Sequence, residues 1–154
     1  MKKCLFDLSG KVVLIAGGSG FLSSNSIAPG LIEYGAKVIL GDINIDKTKK
    51  IAKQLNKKYG NNKIKAAYLD VTNEESIKKI IKENKDINCI VNCACKNPKQ
   101  SKDTKSITEE SRFENFSLKR WQEDIDVGLT GAFLLSREIG NHFIEKNEGK
   151  IINI

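Results

Sequence analysis

The run Lys11-Val12-Val13-Leu14-Ile15-Ala16, followed at once by Gly17-Gly18-Ser19-Gly20, constrains this chain more than any other stretch. An apolar, largely β-branched run suits a strand buried on both faces of a parallel sheet. The glycines let the chain turn sharply, and Ser24 to Tyr34, with Ile27, Leu31 and Ile32 on one side, predicts a helix that Gly35 stops. Strand, glycine turn and helix in that order let a phosphate approach backbone N–H groups and a helix N-terminus, because no side chain stands in the way.

Lys37-Val38-Ile39-Leu40-Gly41-Asp42 reads as a second strand with an acid at its end. A carboxylate about 20 residues past such glycines is placed to hydrogen-bond ribose hydroxyls. Its charge repels a 2′-phosphate and no Arg follows it, so NAD is favoured over NADP. A glycine turn alone also fits an ordinary loop. Ile64 to Leu69, however, predicts a third strand ending at Asp70-Val71, and Asn88 to Ala94 a fourth ending at Asn92-Cys93-Ala94-Cys95. In a doubly wound sheet these ends share one edge with the glycines, where such sheets bind their ligands.

With these motifs in place, the chain resembles the short-chain dehydrogenase/reductase family over nearly all its length. Ala16 to Ser23 is similar to that family's cofactor loop, Asp42 to the acid after its second strand, and Asp70-Val71 to its adenine-contacting pair. Asn92 to Cys95 stands where the family carries Asn-Asn-Ala-Gly. Phe116 to Trp121 and Asp126 to Phe133 resemble the long helix with its Asn-Leu-Thr-Gly segment, and Gly149 to Ile154 the fifth strand. The resemblance implies a Rossmann-like α/β fold, a doubly wound parallel sheet of five strands in order 3-2-1-4-5, incomplete relative to the family's full sheet. It implies cofactor contacts from Gly17, Gly18, Ser19, Gly20, Phe21, Leu22, Asp42, Ile43, Asp70, Val71, Asn92 and Ala94.

Departures from the family pattern accompany the matches. Ala16 replaces the loop threonine, Ser23 the last glycine, and Cys93 and Cys95 an Asn and a Gly. Gly128 stands where the family has an asparagine that helps hold a water in a proton relay. Pro29 falls inside the first helix, where an interior proline costs roughly 3 kcal/mol. The family's catalytic Ser and Tyr-x-x-x-Lys would lie after Ile154. The expectation is therefore the NAD-binding portion of an oxidoreductase, inactive alone, with substrate engaged only if the other half is supplied. The alternative is a non-enzymatic remnant or binding protein that keeps the fold and associates with a full-length relative.

Other conspicuous residues have structural readings. Tyr59-Gly60-Asn61-Asn62-Lys63 has the spacing of the catalytic pair, but Gly-Asn-Asn is a turn signal at the far sheet edge, as is Tyr34 before Gly35. His142 reads as a partly exposed helix residue. Cys4, Cys89, Cys93 and Cys95 lack paired zinc spacing and read as small buried hydrophobes, so no metal is expected. Thr72-Asn73-Glu74-Glu75 predicts a capping box, and Ser117 the cap of a helix running to Lys146. On that helix Trp121, Ile125, Leu129, Ala132, Ser136, Ile139 and Phe143 trace one face, expected to pack on the sheet; the family resemblance implies that the same helix also permits self-association. Lys96 to Glu114 is expected to arch over the pocket as a loop.

The net charge of +7 raises nucleic acid as a partner. Lys47, Lys49, Lys50, Lys53, Lys57 and Lys58, and then Lys78, Lys79, Lys82 and Lys85, stand opposite apolar stripes, with few interleaved aromatics, which disfavours it. At 154 residues the chain reads as one domain. Its apolar runs are too short for a membrane span or signal peptide, so a cytoplasmic location is expected.

Overall fold

A computed structural model describes residues 5–60, 62–96 and 112–154. Five parallel strands form one sheet: β1 (Val12–Ala16), β2 (Lys37–Asp42), β3 (Ile64–Tyr68), β4 (Cys89–Asn92) and β5 (Lys150–Asn153). Their order is β3-β2-β1-β4-β5, as expected from the sequence. Three strands are shorter than the apolar runs suggest. Leu69 and Ile154 each keep one backbone hydrogen bond to a neighbour and Asn88 keeps two, but all three lie outside the ladder.

Every residue of β1 is buried, because the pleat sends alternate side chains into two separate cores. Val12, Leu14 and Ala16 join Ile90, Leu69 and the helical residues Ile77, Ile80, Leu135, Ile139 and Phe143. Val13 and Ile15 join Val38, Leu40, Ala28, Ile32 and Ala52 on the opposite face. Full burial of one Leu or Ile stabilises by about 1.5–3 kcal/mol, so this central strand anchors both layers.

The helices are α1 (Ala28–Glu33), α2 (Ile45–Tyr59), α3 (Glu74–Glu83), α4 (Leu118–Ile125) and α5 (Gly131–Lys146). The Asn44 side chain accepts the Lys47 N–H to begin α2, and Ser117 accepts the Arg120 N–H to begin α4. The capping box expected from Thr72 and Glu75 does not form, and the cap lies one residue later. Asn73 is the cap and accepts from the Ser76 N–H, while Thr72 Oγ1 donates to Asp70 Oδ1. Asx and Ser/Thr side chains are comparable caps, and here the turn's own carboxylate engages the threonine.

Pro29 does not break its helix. A π-helical stretch, Ser23–Ile27, precedes it and closes with the Ala28 N–H on the Ser23 carbonyl. The backbone is helical without a break from Phe21 into α1, and Pro29 directly follows this wider turn, whose looser ladder accommodates a ring that has no N–H to give.

A second π stretch, Asp126–Thr130, joins α4 to α5 and revises the single predicted stripe. One inserted residue turns the following helix by about 100°. The sheet-facing row becomes Gly131, Leu135, Ile139 and Phe143, all buried. Trp121 and Leu129 are left 55% and 65% exposed. Leu135 is thus a core residue that the predicted stripe omits.

The lysines predicted on outer faces of α2 and α3 stand exposed, whereas Ala52, Ile77 and Ile80 are buried. Among the described residues no helix is long and apolar enough to cross a membrane. Cys4 and most of the expected 96–114 loop lie outside the described residues.

Candidate functional site

The carboxyl ends of β1, β2 and β4 converge on the loop that follows β1. Gly17 has φ +75°, and a Cβ there would stand 2.7 Å from the Cys93 carbonyl oxygen. Both facts require glycine: the left-handed backbone disfavours a side chain, and none would fit. Gly18 donates its N–H to the Gly41 carbonyl at 2.9 Å, and a Cβ on it would meet the Leu40 Cβ at 2.8 Å. The loop is thereby pressed against β2 and the end of β4 at once.

Asp42, the last residue of β2, has both carboxylate oxygens anchored by backbone. Oδ2 accepts the Ser19 N–H and Oδ1 the Asn44 N–H, each at 2.9 Å. A carboxylate offers about four lone-pair sites, so each oxygen retains capacity for a further donor. Asp70 caps its own turn, Oδ1 accepting from the Thr72 N–H and hydroxyl, while its N–H donates to Ser76 Oγ. Asn92 is buried, its Oδ1 accepting the Ala94 N–H and its Nδ2 donating to Asn153 Oδ1. These side chains brace the turns after β3 and β4.

Between the turns lies a cleft of about 390 Å³, walled by Gly17, Ser19, Gly20, Asp42, Ile43, Leu69, Asp70, Val71, Thr72, Cys93, Ala94, Cys95, Lys96 and Val127. Eight of the residues predicted from sequence line it: Gly17, Ser19, Gly20, Asp42, Ile43, Asp70, Val71 and Ala94. Gly18 lies behind the loop against Leu40, and Asn92 is buried beneath the turn. Phe21 and Leu22 are exposed and outside the wall.

Leu69, Thr72, Cys93, Cys95, Lys96 and Val127 line the wall without being among the cofactor contacts expected from the sequence. The first two flank Asp70-Val71, so adjacency was an available signal; Val127 reaches the cleft only through the π stretch.

The cysteines differ from the expected buried set. Cys89 and Cys93 are half-buried, but Cys95 lies past the end of β4 and is exposed. Burial pushes the Cys89 thiol up. Burial also raises Cys93; the adjacent Ser23 hydroxyl offsets part of this, and Cys95 adds to it. Ser23, in place of the family's glycine, is buried. No group of three or more metal-ligating side chains forms among the described residues. His142 Nε2 lies 3.3 Å from the Ile87 carbonyl, away from the cleft. Tyr34 and Tyr59 end helices at the opposite sheet edge, and among the described residues no tyrosine lines the cleft.

With this geometry established, comparison with known proteins decides the family. The profile of the short chain dehydrogenase family matches residues 11–154. The chain belongs to the short-chain dehydrogenase/reductase family. It is 32% identical over 157 residues to 5-keto-D-gluconate 5-reductase of Escherichia coli K12, covering 97% of this chain and 55% of that protein. The 3-oxoacyl-[acyl-carrier-protein] reductase FabG of Aquifex aeolicus is 30% identical, with 96% and 56% covered. Levodione reductase superposes with TM-score 0.78 at 21% identity, with 94% and 54% covered. NAD+-bound xylitol dehydrogenase gives 0.76 at 21%, with 94% and 52% covered. This short-chain dehydrogenase/reductase chain thus spans about half the length of these relatives. The family consists of oxidoreductases that use NAD(P).

Proposed function

We propose that this chain forms the NAD-binding part of a short-chain oxidoreductase that interconverts a hydroxyl and a carbonyl. The observation that carries this reading is Asp42, held by two backbone N–H groups at the mouth of a glycine-walled cleft. Bound there, NAD would supply the hydride acceptor. Gly17, Ser19 and Gly20 would receive its phosphates against bare backbone, Asp42 its adenosine ribose, and Asp70-Val71 its adenine.

The fit rests on the cradle itself, since a Cβ at Gly17 or Gly18 would fill the space the loop needs. The choice of NAD over NADP rests on Asp42: its charge opposes a 2′-phosphate, and the neighbouring Ile43 and Asn44 offer no cation. Relatives with both preferences exist, an NADP-dependent mannitol dehydrogenase of Alternaria alternata and an NAD-dependent glycerol dehydrogenase of Listeria innocua among them. The side chain at the end of β2 therefore carries the argument rather than the degree of similarity. The free thiols Cys89, Cys93 and Cys95 support a reducing, cytoplasmic setting.

A second reading, in which the chain binds the dinucleotide without turnover, is favoured by Gly128. It lies exposed in the π stretch with open space where a Cβ would stand, and offers no side chain to hold a relay water.

Titration of the chain with NAD and NADP by calorimetry tests the primary reading. NAD should bind more tightly, and Asp42→Ala should weaken it about 10- to 100-fold, corresponding to ~1.5–3 kcal/mol for hydrogen bonds to a charged group. Unchanged NAD affinity in a folded variant rejects the role of Asp42. Turnover of alcohols or ketones by the chain without another polypeptide rejects the binding-only reading.

A further inference from the structure

We propose that the outer edge of β3, with the lysine row of α2 beside it, is a docking groove for an extended acidic peptide of a partner protein. β3 ends the sheet on one side. The Val38 N–H donates to the Lys63 carbonyl and the Leu69 N–H to the Asp42 carbonyl. Backbone groups alternate in direction along a strand, so Lys65 and Ala67 face β2, while Ile64, Ala66 and Tyr68 turn their N–H and C=O groups outward. Among the described residues, only the outward groups of Ile64 have partners. Asn56 Oδ1 accepts its N–H at 3.1 Å and Asn56 Nδ2 donates to its carbonyl at 2.8 Å, as a neighbouring strand would. The amide reaches no further, and Ala66 follows with its donor and acceptor open.

Beside this open edge runs a groove of about 590 Å³, lined by Lys49, Ala52, Lys53, Asn56, Lys57 and Ala66. The two alanines leave room for a backbone to approach, and the lysines supply charge. α2 carries six lysines and one acid, Asp46. Lys11, Lys78 and Lys96 pair with glutamates, whereas Lys49, Lys53 and Lys57 form no ion pair among the described residues.

The spacing of the lysines suits a strand. They recur every four residues, a step of about 6 Å along a helix, and alternate residues of a strand are about 6.6 Å apart. The Ala66 side chain packs on the α2 side of the sheet, so a residue aligned with it on an added strand points to that side too. Acids at alternate positions of the peptide would therefore each meet one lysine. The backbone edge selects the class of polymer. Phosphates offer acceptors alone, whereas a strand edge presents donors and acceptors in alternation, which another peptide backbone complements. Lysines along an edge also repel a second copy of it.

The groove shares no residue with the dinucleotide cleft, so its test is independent of the cofactor reading. The whole chain is titrated by calorimetry with a short capped peptide of alternating Thr and Glu. Binding is expected, and added salt should weaken it because the pairs are exposed. Lys49→Gln, Lys53→Gln and Lys57→Gln combined should lower affinity at least about tenfold with the thermal unfolding midpoint unchanged. The same peptide N-methylated at every amide keeps the charges, loses the donors and should not bind. No binding of the acidic peptide, undiminished binding by the lysine variant, or equal binding of the N-methylated peptide overturns the proposal. Tighter binding of a single-stranded oligodeoxynucleotide assigns the lysines to phosphate and overturns it as well.

Discussion

Gly17 and Asp42 shape the cleft from opposite sides, one by having no side chain and the other by the charge it carries. The Gly17 position combines a φ of +75° with a carbonyl 2.7 Å from any added Cβ. Gly17→Ala therefore incurs about 1–2 kcal/mol for the left-handed backbone and about 1–3 kcal/mol for overpacking. A urea midpoint matching that of the parent chain would refute the close approach of the loop to Cys93. At this scale the sequence was informative wherever chemistry lies in the backbone: the glycines and the strand-end acids needed no partner to be recognised. It assigned no cleft contact to Val127, whose place in the wall depends on how the Asp126–Thr130 stretch packs.

At the scale of elements, the two π stretches explain where residue patterns and structure diverge. An interior proline costs roughly 3 kcal/mol, yet Pro29 directly follows a widened turn whose looser ladder accommodates its ring. Pro29→Ala should therefore change stability by less than about 1 kcal/mol. A gain near 3 kcal/mol in chemical unfolding would show that the proline strains its helix after all.

Helices α3 and α5 are joined by Arg137, whose Nη2 lies 2.8 Å from Glu74 Oε2. The guanidinium holds the Glu74 carboxyl below its ordinary value of 4.5. The folded value being the lower one, the stabilisation is present above about 4.5 and is lost as pH falls through the folded value. Both side chains are solvent-exposed, so the effect is small. Arg137→Ala should cost more stability at pH 6 than in acid, the loss shrinking as the pH falls below about 4.5; a loss independent of pH would assign the ion pair no role.

At the scale of the whole molecule, the inserted residue at Asp126–Thr130 divides one apolar stripe between two destinations. Leu135, Ile139 and Phe143 close the core, while Phe113, Phe116, Leu118, Trp121, Ile125 and Leu129 line a hollow of about 790 Å³ on the surface. Contiguous exposed apolar surface of this kind favours association. Sedimentation velocity should show a concentration-dependent dimer that Trp121→Lys dissociates. A parent chain that stays monomeric at high concentration would exclude that face as a contact.

What the sequence determined by itself was local and periodic: strand runs, glycine turns, strand-end carboxylates, and from their alternation the order of the sheet. Connections in such sheets are short and right-handed, so little else was needed to place Gly17 beside Asp42 and Cys93. Only the tertiary structure decided which side chains face the cleft, because a single inserted residue rotates a helix face without altering its composition. The same holds for Cys95, whose exposure follows from where β4 stops pairing, a property of the neighbouring strands rather than of the cysteine.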